Sequence, residues 1–159
     1  MVTAMRKHHR HHALIAAVAV CTTATAVVAA TAVGAQESLR TIVLVARHNE
    51  SRSKVIDTPP RGQAFGPGDM VVLEDKLRDR SGAAAGYAYG LFAMTGRRGN
   101  AQGSITFDLV GGSIEAVGID DGNVTKLAVA GGTGKYAGTT GTVERTEDRN
   151  AQQFTIILR

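Results

Sequence analysis

From Leu39 onward the chain is broken every few residues by Gly, Asn or Asp, and the runs between these breaks have strand composition and strand length. The runs are Arg40–His48, Met70–Asp79, Ala84–Met94, Gly103–Val110, Ser113–Ile119, Val124–Ala130, Gly141–Glu147 and Gln153–Leu158. In the fourth, Ile105, Phe107 and Leu109 fall on one face and Ser104, Thr106 and Asp108 on the other. In the last, Phe154, Ile156 and Leu158 share a face. A period of two marks a strand with one face buried. Eight such runs with no helical pattern between them predict an all-β sandwich or closed barrel. The first run is apolar on both faces, as expected where a lumen lies on one side and a neighbouring subunit on the other. One long interruption, Asn49–Gly68, holds Pro59-Pro60, Gly62, Gly66 and Pro67 and reads as a flexible, lid-like loop.

The N-terminus has a different character. Arg6, Lys7 and Arg10 stand among His8, His9, His11 and His12, and residues 13–33 then carry no charge. Val33-Gly34-Ala35 places small or apolar residues before Gln36. A basic start, an apolar middle and a small-residue end predict a secretory signal peptide over residues 1–35, cleaved before a single domain at residues 36–159. The run is long enough to span a bilayer, but Ala, Val and Thr dominate it and make it weakly hydrophobic. The expectation is a secreted protein without a stable membrane span after processing.

Export changes the charge arithmetic. The whole chain has a formal net charge of +4, but three of its 18 basic residues lie in the leader and none of its 14 acidic ones do. The remainder is nearly neutral, which argues against nucleic acid as a partner. It also lacks cysteine, because Cys21 lies in the leader, and it keeps one histidine, His48. Neither a disulfide framework nor a His- or Cys-based metal site follows. A Ser-His-Asp triad would depend on His48 alone, with no nucleophile elbow to serve.

The densest motif is Leu127–Val143, LAVAGGTGKYAGTTGTV. Gly132, Gly134 and Ala137 match a dinucleotide fingerprint in spacing, but strand-forming residues follow where a helix must begin. A phosphate-binding loop needs Ser or Thr after the Lys, and Tyr136 stands there. No nucleotide cofactor is expected. Gly131, Gly132 and Gly134 read as a turn between strands, in conformations that a Cβ disfavours.

The same segment resembles the signature shared by plant dirigent proteins and allene oxide cyclases. The resemblance extends to Phe65-Gly66 with Gly68-Asp69, to Leu73-Glu74-Asp75-Lys76-Leu77, to Gly82 through Gly86, to Ile105-Thr106-Phe107 and to the closing run Phe154–Leu158. It implies an eight-stranded antiparallel closed barrel, commonly trimeric, with a largely apolar lumen open at one end. In the family, the position matching Asp75 carries an Asp or a water-holding Asn facing the lumen. Departures are plain. Arg47 stands where the cyclases place a catalytic Glu, Ala88 where they place a Cys, and Lys135 and Thr140 where stereoselective dirigent proteins place an acid and an Arg.

Strand alternation selects the same carboxylate. Val71, Leu73, Asp75 and Leu77 share one face of their run, while Glu74, Lys76 and Arg78 share the other with Val72. A carboxylate among aliphatic side chains must be paired, hydrogen-bonded or protonated. It is either a functional acid or a structural one. Leu73 and Leu77 flank it as lumen candidates, Tyr87 and Tyr89 share a face of the next run, Asn49 falls near a polar family position, and Tyr136 is placed to cap the cavity mouth. The resulting expectation is a barrel that binds a small apolar or phenolic ligand and steers its cyclisation or coupling. A carrier and a side-chain-filled interaction barrel are the alternatives.

Overall fold

A computed structural model describes residues 39–58, 65–95, 100–121 and 125–159. The proposed leader and Cys21 lie outside these residues. The eight strands are β1 (Arg40–Ile56), β2 (Met70–Arg78), β3 (Ala84–Met94), β4 (Ala101–Leu109), β5 (Gly112–Asp120), β6 (Thr125–Gly132), β7 (Gly141–Glu147) and β8 (Ala151–Leu158). Each pairs antiparallel with its neighbour in sequence, and β1 pairs with β8 to close the barrel. Closure leaves no unpaired edge. The single helical element among the described residues is a three-residue 3-10 turn, Gly134–Tyr136.

Turn chemistry sets the hairpins. Between β2 and β3, the Asp79 carboxylate accepts from Ser81 N at 2.8 Å, Ser81 Oγ at 2.6 Å and Ala83 N at 3.0 Å, while Gly82 supplies φ +87°. Between β7 and β8, Asp148 accepts the amides of Asn150 and Ala151 at 2.7 and 2.8 Å. Both carboxylates hold their protons less tightly than a free Asp. For Asp79 the Ser81 hydroxyl is the main cause, and for Asp148 the Asn150 amide.

One end of the barrel is packed shut. Leu44, Leu77, Phe107, Ile114, Val143, Ile156 and Leu158 are buried on inward faces, and the 3-10 turn lays Tyr136 into that end. Phe107 and Phe154 meet edge to face with centroids 5.2 Å apart. Burying each ring contributes roughly 1.5–3 kcal/mol.

The interruption after β1 is shorter than its composition suggests. The first half of Asn49–Gly68 is not a loop, because β1 continues to Ile56 and pairs with β2 up to Ile56–Met70. A bulge conceals this continuation. Ala46 faces Leu77 and Ser51 faces Asp75, so Arg47–Glu50 stand against Lys76 alone. The extra residues turn the strand and let Glu50 reach Arg78 through a two-pronged ion pair at 2.6 and 2.9 Å.

Candidate functional site

Asp75 faces inward and is 1% exposed, with its partners across the sheet being Ser51 on β1 and Ala88 on β3. Glu74 and Lys76 project to the other side of the strand, so the acid is set apart from the charged face by alternation alone. Burial raises its pKa above the ordinary carboxylate value. The Ser51 hydroxyl and then the positive charges of Arg145 and His48 oppose that rise without cancelling it. One carboxyl oxygen, Oδ2, has no hydrogen-bond partner among the described residues. A carboxyl in this setting holds its proton more tightly than an exposed one does.

The end of the barrel away from Tyr136 is open and polar. Inward positions that hold Leu or Ile elsewhere hold Asp120 at the end of β5, Thr125 at the start of β6, Arg145 on β7 and Gln152 on β8. Arg145 donates to Asp120 at 2.8 Å and reaches Gln152 Oε1 at 3.4 Å. The ion pair is more than four-fifths buried on both sides. Two adjoining cavities open here. The outer, about 160 Å³, is lined by Phe65, Val71, Leu73, Phe92, Met94, Ala101, Asp120 and Arg145. An inner one of about 10 Å³ lies against Leu73, Ile105, Thr125, Arg145, Gln152 and Phe154. The outer space is the size that admits one benzene-like ring, roughly 150 Å³, and the inner has room for about one water-sized group.

Asp69 braces the rim. Its carboxylate, 1% exposed, accepts from Thr58 N and Gly66 N at 2.8 Å each and from Thr58 Oγ1 at 3.1 Å. These bonds, the Thr58 amide first, hold its pKa below the ordinary value. Phe65 stands beside it at φ +63°, half exposed against the outer cavity. A positive φ in an aromatic residue is strained and needs such bracing.

Of the residues singled out in the sequence, Leu73 lines both cavities, and Leu77 is fully buried next to the packed end. Asp75 lies deeper, past Leu73. Three expectations are corrected. Tyr87 and Tyr89 are on the outer wall, stacked with centroids 6.1 Å apart and 38% and 46% exposed, because β3 turns Ala88 inward instead. Asn49 is exposed in the β1 bulge, lining an outer groove with Arg47, His48 and Arg149. Tyr136 is buried at the closed end and not at the mouth, between Arg40 at 5.4 Å and Lys135 at 5.0 Å from its ring centre. In the turn, Gly134 has φ +57°, and a Cβ there would meet Gly111 O at 2.2 Å. A Cβ on Gly132 would meet Tyr136 O at 2.5 Å. Gly131 shares neither constraint, having open space around it and no positive φ.

Sequence reasoning missed Thr125, Asp120, Arg145 and Gln152. Their signal was available as polar residues in inward register, but Asp120, Thr125 and Gln152 fall at or next to a strand end, where alternation is hardest to phase.

No sequence-family model matches the chain, and neither does any curated protein. Solved structures do. A pyocyanin demethylase superposes with a TM-score of 0.66 at 23% identity, over 76% of this chain and all of that one. A pterocarpan synthase dirigent protein gives 0.63 at 15% identity, covering 77% of this chain and 95% of its own. The fold is that of the dirigent and cyclase barrels. A Diels-Alderase from Streptomyces koyangensis gives 0.62 at 16% identity, and there the match takes in 76% of this chain and 63% of the enzyme. These likenesses establish the architecture, and the chemistry of this lumen rests on its own residues.

Proposed function

We propose that the barrel binds a small apolar or phenolic molecule in its lumen and steers that molecule's cyclisation or stereoselective coupling. The observation that carries this reading is Asp75, a buried carboxyl facing into a lumen that is closed by packing at one end and open at the other. A narrow apolar lumen confines a flexible reactant to few conformers, which lowers the entropic part of the barrier. A neutral Asp75 donates a proton to, or holds a water against, the oxygen on which charge develops. The activities named for the cyclase and dirigent barrels of this fold support such a role.

A carrier is the second reading, and one observation favours it. Leu73 lines the cavities and Asp75 does not, so contact with the acid requires Leu73 to turn aside. Mass spectrometry of the native protein identifies the occupant. Asp75→Asn should then keep affinity within about twofold while product formation or stereocontrol falls by 100-fold or more. An unchanged occupant with no turnover in either protein makes the barrel a carrier.

We further propose that the chain is exported, cleaved after Ala35, and assembled as a homotrimer. The charge-free run and Val33-Gly34-Ala35 support the first step. Val72, Leu91 and Val117 support the second, forming an exposed apolar row across β2, β3 and β5 on the outer wall. The exported protein should start at Gln36 and scatter light as three chains. A retained full-length chain breaks the first claim, and a monomer the second.

A further inference from the structure

Thr125 presents a buried hydroxyl that the barrel itself does not use. The residue is 2% exposed, and its Oγ1 has no hydrogen-bond partner among the described residues. It lines the inner cavity with Arg145, Asp120 and Gln152, and that cavity shares Leu73, Phe92, Asp120 and Arg145 with the ring-sized space outside it. An unpaired buried hydroxyl costs free energy unless something else bonds to it.

Register places this hydroxyl relative to Asp75. Counted through β7, β8 and β1, Thr125 is level with Arg145, Phe154 and Leu44, beside the Arg78 end of β2. Counted through β5, β4 and β3, it lies one residue past the Lys126–Ile119 pair, level with Ala101 and Met94 and so beside the Met70 end. Strands in a closed barrel are staggered, so the true level is the midpoint of the two counts. That midpoint is the middle of β2, where Asp75 stands, four strands away in either direction. Of the inward residues near that level, Leu73 shares the inner cavity with Thr125, and Asp75 lies just past it.

We propose that Thr125, beside an Arg145 held by Asp120 and Gln152, is a ligand-oxygen subsite that admits a single-ring molecule through a neutral hydroxyl or carbonyl group. The inference rests on the lumen-binding reading and adds the chemistry of its ligand. Neutrality follows from the surrounding charges. Arg145 is already paired with Asp120 at 2.8 Å, and Glu147, half exposed at the rim near His48, adds negative charge. A carboxylate entering here meets no unclaimed cation among these groups and leaves water at a cost. A neutral oxygen meets a hydroxyl that can donate or accept.

Phenol and toluene, similar in size and differing by a hydroxyl in place of a methyl, test this in calorimetric or ligand-observed NMR titrations, with benzoate as the anionic probe. Phenol should bind about tenfold tighter than toluene, and benzoate no better than toluene. Thr125→Val should erase the phenol advantage while leaving toluene unchanged, and Thr125→Ser should restore it. The Val variant should melt no lower than the parent, because replacing an unpartnered hydroxyl with a methyl of the same shape is neutral or stabilising. Ring binding with no phenol preference, or a preference that survives Thr125→Val, overturns the subsite and leaves the lumen reading intact. Preferred benzoate binding also overturns it. If no probe binds at all, the lumen reading falls, and this inference with it.

Discussion

The two ends of the lumen are built from the same strands and the same alternation, yet they differ in what those strands carry inward. At the closed end the inward positions are Leu44, Leu77, Phe107, Ile114, Ile156 and Leu158, all buried. At the open end they are Asp120, Thr125, Arg145 and Gln152, with Asp75 midway. A barrel of eight strands can be packed solid or hold one small ligand, and this one does each in a different half. The packed half supplies stability that the polar half does not, since a buried ion pair and two buried oxygens without partners among the described residues cost desolvation. A fold selected only to be stable would have carried the aliphatic pattern through to both ends.

The sharpest way to break this contrast is to weaken the closed end and look for an effect at the mouth. Phe107→Ala removes a fully buried ring from contact with Phe154 and should destabilise the protein by about 3–5 kcal/mol in denaturant unfolding. Below the midpoint of that transition, toluene affinity should stay within about threefold. A loss of binding in step with stability would mean that the two halves are one unit.

The closed end also depends on how its turn is built. Gly134→Val places a Cβ against Gly111 O, at a backbone angle that valine resists, and should cost about 1–3 kcal/mol. Gly131→Ala, in open space with ordinary φ, should change stability by less than about 1 kcal/mol. Equal costs at the two positions would show that the 3-10 plug does not carry the closure.

Legibility in the sequence followed the same division. The eight strands were readable because Ile105-x-Phe107-x-Leu109 and Phe154-x-Ile156-x-Leu158 repeat with period two, and β3 and β7 end where composition says they should. Alternation also placed Asp75 on the inward face. What failed were features that break local periodicity. The bulge at Arg47–Glu50 shifts the phase of β1 and made its second half look like loop. Tyr87 and Tyr89 were read as lumen residues for their chemistry, but the small Ala88 and Gly90 that follow each of them take the crowded inward side. A Cβ on Gly90 would press on the Leu73 side chain at 2.8 Å, so that strand has room inward only for small residues at this level. The mouth cluster is assembled from four different strands, and no local pattern announces it.

The smallest effect concerns Asp75 and pH. Its pKa is raised in the folded protein, chiefly by burial, above the unfolded value of about 3.9. The folded state therefore holds its proton more tightly than the unfolded chain does. Its contribution to stability is fully present below pH ~4 and is lost as pH climbs through the raised folded value. Asp69, Glu50, Asp79 and Asp148 shift the other way, so their contribution is lost as pH falls below about 4. The bare pH profile mixes both, and the difference between parent and Asp75→Asn isolates the buried acid. That difference should move against the parent from pH 4 upward, then level off once the parent's carboxyl is ionised. Thr125→Val, which removes no titrating group, should track the parent throughout. A flat difference between parent and Asp75→Asn would mean that Asp75 keeps an ordinary pKa. It would then hold its proton no more tightly than an exposed Asp, and the lumen would lose its candidate proton donor while keeping its hydroxyl.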